Sequence, residues 1–202
     1  MTIIVNPPEL TLRSPRANWD RARWEQLPAD GNRYEVIDGV LYMTTAPSAF
    51  HQWIIRQIFL VLHEQLDTPG VGTTLWSPIG VLMPGCDLVQ PDLFVVRSED
   101  LGMFHDRRVF GVPALLIEVL SPSNPEQDLE VKRDAYARAG VPEYWVVRPA
   151  ERDVLLFSQP DTQLGVYTRI DPVAPEGELA SPTLPVRVAV ARFFAGAPDT
   201  TL

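Results

Sequence analysis

Residues 114–120 have the sequence ALLIEVL, an apolar run that only Glu118 interrupts. A half-exposed strand alternates polar with apolar residues, whereas a strand covered on both faces is continuously apolar. This run therefore predicts a central strand with packing layers on both sides. A carboxylate inside such a strand is strongly unfavourable unless it is paired, protonated or bound to a cation. Two explanations of Glu118 stay open: a buried ion pair with an arginine, and a metal-binding or catalytic role.

Two amphipathic helices flank this strand in the sequence. Apolar residues recur every fourth position between Ile54 and Leu66, which predicts a helix over residues 51–66. After the strand, Asn124 as N-cap and Pro125 at the first helical position predict a second helix over residues 125–139, which ends before Gly140. The next apolar segment follows this helix directly, as a crossover connection between strands requires.

The remaining strands are predicted from shorter signals. Residues 33–43, RYEVIDGVLYM, have two β-prone pieces around Asp38-Gly39, which is typical of a β-hairpin. Further strands are predicted at residues 79–83, 92–96, 143–147, 154–157 and 186–190. A Pro- and Gly-rich loop is predicted over residues 172–185, and Phe193 and Phe194 are expected to dock on the core. These elements predict a mixed sheet with helices packed on it.

The composition is that of one globular domain. The chain has 202 residues, of which 46% are hydrophobic and 21% charged, enough to bury a core. We expect an N-terminal arm at residues 1–24, a folded domain at 25–195 and a tail at 196–202. A net charge of −9 provides no overall positive field, so any DNA contact needs a local basic patch.

Cysteine use and hydropathy indicate a cytoplasmic protein. The single cysteine, Cys86, forms no internal disulfide, and no Cys/His cluster has zinc-like spacing, as expected in a reducing compartment. The N-terminal segment lacks the pattern of a signal peptide. No segment approaches the roughly 20 apolar residues of a membrane-spanning helix, so we expect no membrane contact.

Asp92 is the second candidate site residue. It follows Pro91, which cannot donate to a strand ladder, at the start of the apolar segment DLFVV. Alone, Asp92 is typical of a turn or a strand start. If its strand neighbours that of Glu118, the two carboxylates can hold a divalent cation, because Mg²⁺ takes one or two carboxylates with water and phosphate oxygens.

Lys132 is the third candidate. It shares a stripe of the predicted helix 125–139 with Leu129 and Tyr136, and this stripe should face the sheet. Two interpretations stay open. The ammonium extends to Asp128, four residues earlier, or to solvent while the stem covers apolar surface. Alternatively, it reaches the two carboxylates of the candidate site.

Several spaced segments resemble known nucleases. Pro91-Asp92 followed by Glu118 in an apolar strand resembles the PD-(D/E)XK nuclease signature, with Leu120 where that signature has its lysine. More closely, the chain is similar to the Uma-two family of restriction endonuclease-like proteins, from about Trp24 to Phe194. The segments that carry this resemblance are YEVIDG at 34–39, His51, QPD at 90–92, IEVLSPS at 117–123, DLEVKRDAY at 128–136 and GVPEYWVV at 140–147.

The resemblance implies a fold and a reaction. The fold is α/β (α+β), a restriction endonuclease-like mixed central sheet in αβββαβ order flanked by helices, plus the N-terminal hairpin. The activity is that of an endonuclease hydrolysing phosphodiester bonds, with Mg²⁺ or Mn²⁺ held by Asp92, Glu118 and the carbonyl of Val119. Lys132, displaced to the following helix, orients water or stabilises the transition state.

The resemblance also suggests helper residues and partners. Glu35 and His51 are the candidate helpers. Glu35 extends the metal shell or binds a second ion, or it is an exposed hairpin carboxylate, whereas His51 is more typical of a helix start than of a catalyst. The expected partner is nucleic acid, with DNA preferred, and a homodimer suits cleavage of both strands. Candidate substrate contacts are Arg107, Arg108, Arg133 and Arg138.

Two other function classes remain. The fold can persist as a catalytically inactive module for nucleic-acid binding or dimerisation. A weaker alternative is a glycosidase-like pair in which Asp92 and Glu118 flank a sugar without metal, although Lys132 counts against it.

Overall fold

A computed structural model of the chain describes residues 11–28, 30–106, 108–121 and 125–197. Predicted features at Arg107 and at the Asn124 N-cap lie outside these residues. The strands are β1 (Thr11–Arg13), β2 (Arg33–Ile37), β3 (Val40–Thr44), β4 (Gly72–Trp76), β5 (Gly80–Met83), β6 (Cys86–Val89), β7 (Leu93–Arg97), β8 (Phe104–His105), β9 (Arg108–Phe110), β10 (Leu115–Val119), β11 (Glu143–Arg148), β12 (Asp153–Asp161), β13 (Val166–Val173), β14 (Glu178–Ala180) and β15 (Arg187–Ala189). The α-helices are α1 (Arg21–Trp24), α2 (Ala49–Leu62), α3 (Arg133–Ala139) and α4 (Ala191–Phe194).

A six-stranded mixed sheet forms the centre, in the order β13-β12-β11-β10-β7-β4. Strand β10 pairs parallel with β11 and antiparallel with β7, and all five of its residues are buried. The prediction of a covered central strand is therefore confirmed. The succession α2-β4-β7-β10-α3-β11 is the αβββαβ core that the resemblance implied.

The two faces of this sheet pack against different helices. Leu115, Ile117 and Val119 share a buried cluster with the apolar side of α2, whereas Leu116 shares the opposite cluster with α3. Because side chains alternate along a strand, Glu118 lies on the same face as Leu116. The carboxylate in the central strand consequently points toward α3.

Both predicted helices form, each with a π-helical turn. Helix α2 begins at Ala49, two residues earlier than predicted, because Ser48 caps it by accepting a hydrogen bond from the His51 amide at 3.1 Å. It continues as a π-helix over His63–Asp67. A π-helical turn over Gln127–Lys132 precedes α3, and Gly140 ends α3 in the left-handed conformation at φ +81°.

The hairpin is also confirmed. Strands β2 and β3 pair antiparallel around Asp38 and Gly39, whose φ values of +50° and +72° are those that a two-residue hairpin turn needs. Strand β1 pairs with β3 on the other side. A second sheet, in the order β6-β5-β9-β8, contacts β2 through β6. The domain boundaries at residues 24 and 195 stay predictions.

The strand predictions need correction at several points, and β6, β8, β9 and most of β13 were not predicted. The predicted strand at 79–83 forms β5, but it belongs to the four-stranded sheet, and the first core strand is β4 instead. Sequence GTTLW does not alternate clearly and begins with glycine, so β4 was missed. The predicted loop over 172–185 is wrong in part, because β13 reaches Val173 and β14 pairs with β15.

Phe193 and Phe194 are buried in the core, as expected. Among the described residues, no helix is long and apolar enough to cross a membrane.

Candidate active site

Antiparallel pairing of β7 with β10 brings Asp92 and Glu118 together. Leu93 lies opposite Ile117, so the residues flanking this pair become neighbours. The Val119 amide donates to Asp92 Oδ2 at 2.9 Å, and the Asp92 amide donates to Glu118 Oε2 at 3.4 Å. Two carboxylates 26 residues apart in the sequence thus share one site.

Glu118 is completely buried, and in the described part of the chain two side chains contact its carboxyl group. Lys132 Nζ lies 2.8 Å from Glu118 Oε1, and the Tyr136 hydroxyl donates to the same oxygen at 3.0 Å. An ion pair of Glu118 with an arginine, one of the two explanations from the sequence, is wrong for the described part of the chain. Burial raises the pKa of Glu118 well above its usual range, and the Lys132 ammonium only partly opposes this.

Lys132 is the only lysine in the sequence and is completely buried. Its ammonium lies 2.8 Å from Glu118, 3.1 Å from Glu35 and 3.3 Å from Asp128. The sequence left two positions open for the ammonium, one beside Asp128 or in solvent and one at the candidate site. In the structure it contacts both Asp128 and the site, and it does not reach solvent. Burial lowers the pKa of Lys132, but these carboxylates outweigh it, and the net pKa is raised.

Glu35 enters the site from the hairpin. It lies on β2, is buried, and accepts a hydrogen bond from the Gln90 amide at 2.8 Å through Oε1. Its other oxygen contacts Lys132 and accepts a longer hydrogen bond, 3.4 Å, from Gln127. The interpretation of Glu35 as an exposed hairpin carboxylate is consequently wrong.

Arg33 and His51 contact Asp92, although the sequence did not single out either for this. Arg33 pairs with Asp92 Oδ1 at 2.6 Å. His51 Nε2 lies 3.2 Å from Asp92 Oδ2 and 2.9 Å from the Val119 carbonyl oxygen. Burial raises the pKa of Asp92, but His51 and Arg33 outweigh it and hold the pKa well below its usual range. One signal was present: Arg33 precedes Glu35 by two residues, so both lie on one face of β2.

The site opens to solvent at Asp92. A cavity of about 220 Å³ is lined by Asp92, Arg33 and His51, with Asn32, Trp76 and Pro78 on its walls. Glu118, Glu35 and Lys132 do not line it. A ligand that enters this cavity therefore meets Asp92 and Arg33 first, with the other acidic residues behind them.

The three predicted substrate-binding arginines that the structure describes do not gather at this opening. Arg108 pairs with Glu25, Arg133 with Asp134 and Arg138 with Asp38, three carboxylates on different elements. Arg33 is the arginine that the structure places against the site acid. A linear sequence does not show which long side chains from different elements lie together in the fold. The position of Arg33 at the site was therefore not predicted.

The charges of the cluster leave it short of positive charge. Glu35, Asp92, Glu118 and Asp128 are buried acids, and their partners among the described residues are the cations Lys132 and Arg33 and the His51 imidazole, which adds a charge when protonated. Burial also raises the pKa of Asp128. Such an excess of acidic groups is relieved by protonation or by a bound cation.

The donor set fits a hard divalent cation. Mg²⁺ and Mn²⁺ prefer carboxylate and carbonyl oxygens, which Asp92, Glu118 and Val119 supply. Among the described residues, no three His, Cys, Asp or Glu side chains are already arranged as a metal site. Arg33 and His51 hold the oxygens that a cation would take, so its binding requires them to exchange partners.

Tyr136→Phe is expected to lower the free energy of unfolding by roughly 2 kcal/mol, because it removes a buried hydrogen bond to the Glu118 oxygen that also contacts Lys132. The matched control is Tyr34→Phe, which removes an exposed hydroxyl bond to Asp30 of 2.8 Å. We expect the control to change stability by less than about 0.5 kcal/mol. Urea unfolding of the three proteins measures the difference. Equal losses in both variants would contradict the role assigned to Tyr136.

Comparison with known proteins identifies the family and the fold of the chain. Residues 21–191 match the model of the Uma2 (Uma-two) family, described as "Putative restriction endonuclease". A crystal structure described as "a putative nuclease belonging to DUF820 from Anabaena variabilis ATCC 29413" has a similar fold, with a TM-score of 0.71 and 16% identity over 86% of this chain and 96% of that chain. No curated protein matches the chain. Because the family model spans most of its length, the chain belongs to the Uma2 family and has the restriction endonuclease-like fold.

Proposed function

We propose that this protein is a metal-dependent endonuclease that hydrolyses phosphodiester bonds of DNA. The observation that carries the proposal is the convergence of Asp92, Glu118 and Glu35 with Lys132 at one end of the central strands. Family membership and the similar fold of a protein described as a nuclease support the same reaction class.

Asp92, Glu118 and the Val119 carbonyl are the residues that would hold Mg²⁺ or Mn²⁺. When bound, such an ion supplies a Lewis acid for a phosphate oxygen and lowers the pKa of water. Lys132 fixes the Glu118 and Glu35 carboxylates through short contacts and keeps positive charge next to the acids. We assign it the positioning of water or the stabilisation of transition-state charge.

Arg33 has a second role in this scheme. Arg33 lines the cavity, and its guanidinium pairs with Asp92. A cation on Asp92 would compete with this pair and leave the guanidinium to bind a phosphate oxygen, which planar guanidinium groups do well. Asp92 would then contact the cation in place of Arg33, and Arg33 would contact a substrate phosphate in place of Asp92.

Calorimetric titration with Mg²⁺ tests the metal site. We expect saturable binding to the wild-type protein and its loss in Glu118→Gln. The glutamine amide has nearly the shape of the carboxylate but lacks its negative charge. Glu178→Gln is the matched control, since Glu178 is an exposed acid paired with Arg187 at 2.8 Å. Binding that persists in Glu118→Gln would contradict the assignment of this ligand.

One observation favours the alternative of an inactive nuclease-fold module. Asp92 and Glu118 already have ionic partners, Arg33 and Lys132, so the cluster is able to serve as a structural ion-pair network. In that case neither Mg²⁺ nor Mn²⁺ binds, and no cleavage of plasmid DNA follows their addition.

We further propose a cytoplasmic homodimer, in which two sites related by two-fold symmetry act on opposite strands.

A further inference from the structure

A second cleft adjoins the cavity at Asp92. Its volume is about 360 Å³, within the range of small-molecule sites, and Trp24, Tyr34, Gln90 and Arg108 line it. Asn32 and Pro78 line both this cleft and the cavity at Asp92. The two openings are therefore neighbours, and a chain-like ligand can occupy both.

The aromatic wall of the cleft is held rigidly. Trp24 Nε1 donates to the Tyr34 carbonyl oxygen at 2.7 Å, which fixes the indole ring. The guanidinium carbon of Arg108 lies 5.1 Å from the centre of this ring, within cation–π range, and Glu25 holds Arg108 at 2.8 Å. Proteins that bind single-stranded nucleic acids combine aromatic rings, on which the bases stack, with cationic groups that contact the phosphates. Trp24 and Arg108 provide both groups in this cleft.

Gln90 supplies an independent sign of a ligand. It is only 8% exposed, and its side-chain oxygen has no hydrogen-bond partner among the residues described. A buried amide oxygen without a donor is costly, and such groups need an explanation. Gln90 lines the cleft, so a shift of its side chain on binding would offer this oxygen to a nucleobase amino group, which provides the missing donor. The Gln90 backbone amide also binds Glu35, which ties the cleft to the acidic cluster.

We propose that this cleft binds one unpaired nucleotide of the DNA strand next to the phosphate that is cut. The base stacks at Trp24, its edge meets the Gln90 amide, and a flanking phosphate replaces Glu25 as the partner of Arg108. The base must be unpaired because the stacking faces of a base inside a duplex are covered by its neighbours. This inference rests on the proposed nuclease function and specifies its substrate.

Fluorescence anisotropy with labelled oligonucleotides tests the cleft. The full-length protein, in Ca²⁺ instead of Mg²⁺, is titrated into a single-stranded DNA and into the duplex of the same sequence. We expect the single strand to bind about ten-fold more tightly, and Trp24→Ala and Arg108→Ala each to weaken it about ten-fold. Trp24→Phe should retain most of the affinity, since a ring remains.

A second Trp–Arg pair provides the matched control. The guanidinium carbon of Arg56 lies 5.6 Å from the ring centre of Trp53 on α2, outside the cleft. Trp53→Ala and Arg56→Ala should leave DNA binding unchanged. The proposal would be overturned if the variants of Trp53 and Arg56 lost as much DNA affinity as those of Trp24 and Arg108. Tighter binding of the duplex, or of an RNA of the same sequence, would also overturn it. Thermal melting identifies a variant that fails to fold, and Arg108→Ala then carries the test.

Cleavage of the same DNAs in Mg²⁺ separates this inference from the proposed function. Single-strand binding that depends on Trp24, without cleavage, supports the cleft and contradicts the nuclease. Duplex cleavage that Trp24→Ala does not slow contradicts the cleft and leaves the nuclease assignment intact.

Discussion

Asp92→Asn is expected to slow metal-dependent cleavage of DNA by about 10³-fold, because a catalytic metal ion contributes several kcal/mol to transition-state stabilisation. Asp92 is the site acid that lines the cavity, so it is the carboxylate that a cation and a phosphate reach first. The amide keeps an oxygen that can accept from the Val119 amide, but it loses the charge. Initial rates of plasmid nicking in Mg²⁺ measure the effect.

Asp171→Asn is the matched control for this variant. Asp171 is an exposed aspartate on β13, paired with Arg169 at 2.7 Å, and it lies far from the acidic cluster in the sheet order. We expect its cleavage rate to equal that of the wild type. Thermal melting shows whether Asp92→Asn remains folded without the charge that pairs with Arg33. A folded Asp92→Asn protein within about three-fold of the wild-type rate would exclude Asp92 from the metal site.

The sequence predicts the fold wherever its local signal is strong. Strand β10 is continuously apolar, and Asp38-Gly39 has the conformational freedom that a hairpin turn needs, so both were predicted correctly. Strand β4 has no comparable signal, because GTTLW is short, begins with glycine and has threonines at its centre. Its pairing with β7 forms it, and pairing partners are not visible in a single sequence.

The same distinction applies to the candidate site. A charged residue is conspicuous inside an apolar strand or on the buried stripe of a helix, which is why Glu118 and Lys132 were predicted. Arg33 and His51 lie in segments where charged or polar residues are ordinary. Only the fold places Arg33 against Asp92, across 59 residues of sequence. The sequence thus identified most of the acids and the lysine, but not the groups that neutralise Asp92.

Lys132→Met is expected to lower the free energy of unfolding by roughly 3–5 kcal/mol near pH 8, which is the cost of breaking a buried ion pair from one side. Methionine has a similar length, so the stem still fills its space, but Glu118, Glu35 and Asp128 lose their common ammonium partner. Domains of this size are stable by about 5–15 kcal/mol, so the variant is near the limit of folding. Urea unfolding in EDTA measures the loss.

The loss in Lys132→Met should also depend on pH, and the sign follows from Glu118. Burial raises the pKa of this carboxyl in the folded protein above its usual value of 4.5, and the ammonium opposes that rise. A group with a raised pKa stabilises the fold most below its unfolded pKa, and this contribution disappears as pH rises through the folded value. Without the ammonium the folded pKa rises further, so the deficit is small near pH 5 and grows as the pH rises above it. Arg187→Met, which breaks an exposed pair with Glu178, should lose less than about 1 kcal/mol at either pH. A deficit in Lys132→Met that is equal at both pH values would mean that the ammonium does not oppose the rise in the pKa of Glu118.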